Sequence, residues 1–158
     1  MKIAVLERNS VGTDIDVTCF EDFGEVTYYR NTVAADAAEK VKDVDIIIAN
    51  KAPMNEETLK DAPNVKLICE FATGFDNIDL EYCKKRRIKV ANVKDYSTAA
   101  VAQHTFALAL YLLEHLPHYD TYVKDGSYGA QDRFSNFDLP FTELAGKTWG
   151  IIGMGNIG

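Results

Sequence analysis

Asp45-Ile46-Ile47-Ile48-Ala49-Asn50-Lys51 holds the most diagnostic pattern in this sequence. Its apolar run is continuous, without the polar alternation of a strand that faces water on one side. Such a run is expected of a strand buried on both faces, as in a parallel sheet clothed by helices. Ile3-Ala4-Val5-Leu6 has the same character. Val26-Thr27-Tyr28-Tyr29, Leu67-Ile68-Cys69-Glu70-Phe71 and Ile88-Lys89-Val90-Ala91 complete a set of five predicted strands. Helical patterns fall between them, near 13–21, 33–42, 55–61 and 79–87. Asn55-Glu56-Glu57 and Asp79-Leu80-Glu81 read as helix starts, each a capping side chain followed by acids in the first turn. Strand and helix in alternation imply right-handed crossovers and a doubly wound α/β sheet.

The pattern changes at Ser97. Ser97-Thr98 can open a long helix through Leu113, with Val101, Thr105, Leu108 and Leu112 on one stripe and Ala102, Phe106, Ala109, Leu110 and Leu113 on another. A helix apolar nearly all round calls for burial nearly all round, hence a domain junction or a subunit interface. A more polar segment, 118–146, follows, broken at Asp125-Gly126-Ser127 and carrying Tyr128, Phe134, Phe137 and Phe141. Lys147 through Ile152 reads as a further strand running into Gly153-Met154-Gly155-Asn156-Ile157-Gly158, a G-x-G-x-x-G loop. Such loops turn a strand tightly into a helix whose N-terminus faces a dinucleotide pyrophosphate. That helix, and the acid expected about 20 positions on for the ribose, lie outside these 158 residues.

The 158 residues amount to about one domain by length, and 47% apolar content suffices for a core. A net charge of −7 argues against nucleic acid or an anionic membrane surface as partner, since both reward a basic face. The basic run Lys84-Lys85-Arg86-Arg87 ends a predicted helix, where cations suit the negative end of the dipole or simply form a solvated face. Cys19, Cys69 and Cys83 are odd in number and show no C-x-x-C pair, which fits a reducing cytoplasm better than a disulfide framework. No signal peptide is visible, and the longest apolar stretch, 105–113, is too short to span a bilayer.

Chemistry-bearing residues collect at the carboxyl ends of the predicted strands, where open α/β sheets bind ligands. Thr73-Gly74-Phe75-Asp76-Asn77 follows the fourth strand. Backbone N–H groups around Gly74 can cradle a carboxylate. Equally, Gly74 can supply a turn while Asp76 or Asn77 caps the next helix. Lys51, just past the third strand, can offer a charge to an anionic substrate or remain solvated. His104, His115 and His118 have no metal-ligand spacing with cysteines or acids, so no metal is expected, and His104 reads as a core histidine. No G-x-S-x-G occurs, and no acid–base pair is evident.

Taken in order, Asn50-Lys51-Ala52-Pro53, Ala72-Thr73-Gly74-Phe75-Asp76-Asn77-Ile78-Asp79, Val93-Lys94-Asp95-Tyr96-Ser97-Thr98-Ala99-Ala100-Val101-Ala102 and Glu143 through Gly158 resemble the D-isomer-specific 2-hydroxyacid dehydrogenases. Ala102-Gln103-His104-Thr105 and the aromatic segment Phe134–Phe141 are most similar to the glycerate dehydrogenase (hydroxypyruvate reductase) branch. The resemblance implies a flavodoxin-like substrate domain over residues 1–97 and, over 98–158, the start of a Rossmann NAD-binding domain. It implies NAD as cofactor, with NADP left open, a small 2-oxo or 2-hydroxy acid as substrate, and a homodimer built through the helix at 97–116. By the same resemblance Lys51 lines the substrate cleft, Gly74 helps hold the substrate carboxylate and Thr73 lies near both substrate and nicotinamide. Gly153, Gly155, Asn156, Ile157 and Gly158 would lie on the pyrophosphate.

The family's arginine, glutamate and histidine lie beyond its glycine loop, and none of the three histidines here matches that acid–base group. No catalytic residue is therefore assigned, and these 158 residues alone are expected to be inactive. Two rival readings stand beside the enzyme. A flavodoxin-like phosphoacceptor receiver would need acids ending the first and third strands, where Glu7 is available but Asn50-Lys51 stands in the other place. A dimerising interaction module would use the helix at 97–116.

Overall fold

The computed structural model describes residues 1–158 as two compact units, Met1–Lys94 and Asp95–Gly158. In the first, β1 (Lys2–Val5), β2 (Glu25–Tyr28), β3 (Ile46–Ala49), β4 (Leu67–Glu70) and β5 (Lys89–Asn92) form one parallel sheet in the order β2-β1-β3-β4-β5. This is the flavodoxin-like order, in which the chain winds outward from β1 in one direction and then reverses. The continuous strands occupy its centre, with Ile3 beside Ile46 and Ile47 beside Ile68.

Reversal of winding assigns the connections to faces. Helices α1 (Ala34–Val41), α2 (Glu56–Leu59) and α3 (Leu80–Arg86) bring Val41, Leu59 and Cys83 against Ala4, Leu6, Ile47, Ala49 and Ile68 on one face. The other face receives the β1–β2 connection, whose Phe20 packs with Ile3, Val5 and Ile48. That connection was expected to be a helix over 13–21. It is instead a short 3-10 segment at Thr18–Phe23, reached through a loop in which Arg8 donates to the carbonyls of Val11, Gly12 and Ile15. Gly12, Asp14 and Asp16 fit that looped conformation better than a helix interior. The expected caps form as read: Asn55 accepts the Thr58 N–H at 3.1 Å and Asp79 the Tyr82 N–H at 2.9 Å.

The second unit holds α4 (Thr98–Leu113), α5 (Leu116–Lys124) and α6 (Ser127–Ala130). The helix expected over 97–116 breaks at His115, whose φ of 51° lies in the left-handed region, with Pro117 at the start of the next helix. No residue of α4 is buried, so its apolar surface remains uncovered. His104 is exposed rather than in a core. The segment after α6 folds back on α5, with the Tyr119 hydroxyl donating to the Leu139 carbonyl and that of Tyr122 to Gln131. Trp149 stacks on Phe106 at 5.1 Å. Residues 147–152 do not form the expected strand, because strand geometry needs a hydrogen-bonding neighbour and none pairs with them. No helix is long and apolar enough to cross a membrane.

Candidate functional site

In a doubly wound sheet the crevice for ligands opens at the carboxyl ends, where the winding reverses between β1 and β3. Here that crevice is closed by a side chain of the protein. Glu7, leaving β1, accepts the backbone N–H of Asn50 at 2.6 Å and of Lys51 at 2.9 Å. Those N–H groups, free to meet an anion in a bare crevice, are already satisfied. The anion-binding possibilities move to the Lys51 side chain, which is exposed, and to the neighbouring loop after β4.

The loops after β3 and β4 are fastened together. Met54 donates its N–H to the Asn77 carbonyl at 2.8 Å, and Asp79 donates to the Met54 carbonyl at 2.9 Å. The Asn77 side-chain amide adds bonds to the Ala52 carbonyl at 3.1 Å and to Glu70 Oε2 at 3.3 Å. Thr73 is held from the β5 side: its hydroxyl donates to the Val93 carbonyl at 2.8 Å, and its carbonyl accepts from the Asn92 amide at 2.7 Å. Between these anchors Thr73, Gly74, Phe75 and Asp76 are exposed. A side chain at Gly74 would meet only the Asp76 carboxylate, at 3.4 Å, so the exposed backbone there is open to a small ligand. Asp79, not Asp76 or Asn77, caps α3. Lys51, Thr73 and Gly74 thus share one edge of the sheet on two joined loops.

Glu70 is the unexpected member of this edge. It ends β4 with 1% exposure, and its Oε1 is buried with no hydrogen-bond partner. Burial pushes its carboxyl up to about 7, against the pull of the Asn77 bond; the Glu7 carboxylate raises it further, Lys51 lowers it and Asp76 raises it. In the sequence it is a single acid in an otherwise apolar strand. The available signal was a glutamate inside Leu67-Ile68-Cys69-Glu70-Phe71, since an acid at a strand position is rarely fully buried without a reason.

In the second unit the glycine loop 153–158 is exposed and irregular. Gly153 has φ +108°, and a side chain on Gly158 would press against the Gly153 carbonyl at 2.5 Å, so both positions need glycine. Asn156 donates to Asp95 Oδ1 at 2.7 Å, while Gly155 has open space around it. The exposed backbone of this loop is the feature that a pyrophosphate site built on it would use. The helix N-terminus that would complete such a site is not among these residues.

The parallel α/β unit and the glycine-rich turn that follows it in sequence recur among known proteins. The D-isomer specific 2-hydroxyacid dehydrogenase catalytic-domain family matches residues 3–149, and the chain belongs to that family. Hydroxypyruvate reductase of Blautia hydrogenotrophica is 36% identical over 162 residues, covering 100% of this chain and 50% of that protein. Glycerate dehydrogenase of Methylorubrum extorquens is 34% identical over 158 residues, covering 99% of this chain and 50% of that one. The crystal structure of D-lactate dehydrogenase from Aquifex aeolicus, complexed with NAD and lactic acid, superposes with a TM-score of 0.77 at 31% identity, over 100% of this chain and 46% of that one. The chain spans about half the length of the curated relatives it matches.

Proposed function

We propose that these residues supply the substrate-binding part, and the beginning of the dinucleotide-binding part, of an NAD-linked oxidoreductase that interconverts a D-2-hydroxy acid and its 2-oxo acid. Residues 1–97 form the substrate domain and 98–158 open the nucleotide domain. The observation that carries the reading is the joined pair of loops after β3 and β4, which presents Lys51, Thr73 and Gly74 at one carboxyl edge. The backbone about Gly74 and the Lys51 ammonium receive the substrate carboxylate. Thr73, held by Val93 and Asn92, stands near both substrate and nicotinamide. The loop Gly153, Gly155, Asn156, Ile157 and Gly158 lies along the pyrophosphate, its two conformationally required glycines permitting backbone approach.

The nicotinamide, when bound, supplies or accepts the hydride at the substrate C2. NAD is favoured by the NAD-bound relative, and glycerate with hydroxypyruvate by the two relatives that act on them. NADP is left open. The protein works in the cytoplasm as a homodimer. The exposed Val101, Phe106, Leu108 and Leu112 of α4 support that pairing, and light scattering at several concentrations tests it. A receiver-like role is disfavoured by Glu7, which is buried and committed to backbone N–H groups rather than facing solvent.

Titrating the 158-residue chain with oxamate, a 2-oxo acid mimic, tests the site. Amide signals of Lys51, Thr73 and Gly74 are expected to move together; shifts confined to other regions overturn the assignment. Mixed with NADH and hydroxypyruvate, the chain alone is expected to give no oxidation above a buffer control. Its histidines lie on and beside α4 and α5, and none matches the family's acid–base group.

A further inference from the structure

Three hydrogen bonds converge on Asn77. Its side-chain amide donates to Ala52 O and to Glu70 Oε2, and its carbonyl accepts from Met54. One residue therefore ties the Lys51 loop, its own loop and the end of β4. Both donors of the amide are used, so the orientation of Asn77 is set by two acceptors at once. One of them, the Ala52 carbonyl, belongs to a residue only 1% exposed and cannot change partner easily. The other is a carboxyl whose second oxygen has no partner.

The two states of that carboxyl differ in what they offer. Ionised, Glu70 is a charge-assisted acceptor for Asn77, but it leaves a buried oxygen unsatisfied and faces Glu7 from the β1 end. Protonated, it accepts more weakly from Asn77 and no longer repels Glu7, whose own oxygens hold the Asn50 and Lys51 N–H groups. The charged groups acting on Glu70 come from three loops: Glu7 after β1, Lys51 after β3 and Asp76 after β4. Each of the two routes, through Asn77 and through Glu7, ends on the Lys51 loop.

We propose that Glu70 is a positioning residue: acting through Asn77, its carboxyl sets the spacing between the Lys51 loop and the Thr73–Gly74 loop, so that a proton gained or lost there is felt at both. What the spacing serves rests on the reading that these loops receive the substrate carboxylate; the coupling itself does not.

Nuclear magnetic resonance of the full 158-residue chain, labelled at glutamate side-chain carbons and backbone nitrogens, tests it without any ligand. The Glu70 carboxyl is expected to titrate with a midpoint of about 7, and the Lys51 and Gly74 amides to shift with that same midpoint. Glu70→Gln removes the step from both amides. Asn77→Ala leaves Glu70 titrating, at a higher midpoint because a stabilising donor is gone, but uncouples Gly74 from it. The proposal is overturned if Glu70 titrates with ordinary glutamates, if it titrates near neutrality while Lys51 and Gly74 stay still, or if their steps persist in Glu70→Gln. Should that variant not fold, the wild-type titration decides alone. Failure of oxamate to perturb the loops while the coupled titration is present overturns the substrate reading and leaves this one standing.

Discussion

Glu7 receives the backbone N–H of Lys51 on both carboxylate oxygens, at 3.0 Å to Oε1 and 2.9 Å to Oε2. Together with the bond from Asn50, this makes a side chain from the end of β1 the structural cap of β3. Truncation strands two backbone donors at a site where the capping residue itself is only 8% exposed. Glu7→Ala is therefore expected to destabilise the protein by roughly 2–3 kcal/mol, and Glu7→Gln, which keeps one acceptor oxygen, by about half as much. Urea denaturation of the two variants checks this; equal stability of Glu7→Ala and wild type would show that water replaces the carboxylate without cost.

A second prediction concerns pH. Folding raises the Glu70 carboxyl from 4.5 to about 7, so within that window the folded state holds a proton that the unfolded state has released. Stability contributed by this group therefore falls as pH rises through the window and levels off above it, a change of about 3 kcal/mol. Glu70→Gln keeps the shape and lacks the proton. The variant should gain on wild type steadily from about pH 5 upward, with the gap constant above neutrality. Denaturation midpoints of both proteins across that range measure the gap; a constant gap throughout refutes the assignment of the titration to Glu70.

The sheet was legible because the runs Ile3–Leu6 and Ile46–Ala49, which supply most of β1 and all of β3, are apolar at every position, which leaves little choice but a parallel sheet's interior. The caps at Asn55 and Asp79 were legible because they are local, needing only a side chain and a nearby N–H. Lys51, Thr73 and Gly74 could be placed at one edge from topology alone. The bonds joining their loops could not, since Asn77 reaches Ala52 across 25 residues and Glu7 reaches Lys51 across 44. The misread segments are those where local propensity lacks a tertiary partner. Residues 147–152 look like a strand but have no neighbour to pair with, and 13–21 carries an apolar spacing that Asp14, Asp16 and the preceding Gly12 override.

Arg86 shows the same limit in a basic run whose sequence suits either the negative end of the helix dipole or a solvated face. Its guanidinium donates to the Leu59 carbonyl at 2.8 Å and the Ala62 carbonyl at 3.0 Å, and lies 5.8 Å from the centre of the Tyr82 ring. It ties the end of α3 to the end of α2 through two different donors, a geometry that a lysine ammonium does not reproduce. Arg86→Lys should cost about 1–2 kcal/mol, whereas Lys84→Ala and Lys85→Ala, on exposed positions of the same run, should change stability by less than about 0.5 kcal/mol. Thermal unfolding of the three variants separates a specific tie from a general charge effect, which would make them alike.

Gly24 carries the most severe backbone constraint in the first unit. It precedes β2 with φ +156° and ψ −163°, a conformation that L residues rarely adopt. A side chain there would drive into the Met1 carbonyl oxygen, which at the same time accepts the Glu25 N–H at 2.9 Å. The Met1 carbonyl cannot withdraw without breaking the bond that starts the β1–β2 ladder, where Lys2 pairs with Glu25. Conformational strain and collision therefore add. Gly24→Ala should destabilise by about 3 kcal/mol or more, with the loss expressed as early exchange of the β2 amides rather than those of β4 and β5. Hydrogen exchange resolved by residue tests this directly: protection lost uniformly across all five strands, or not lost at all, would show that the sheet edge accommodates the methyl group elsewhere.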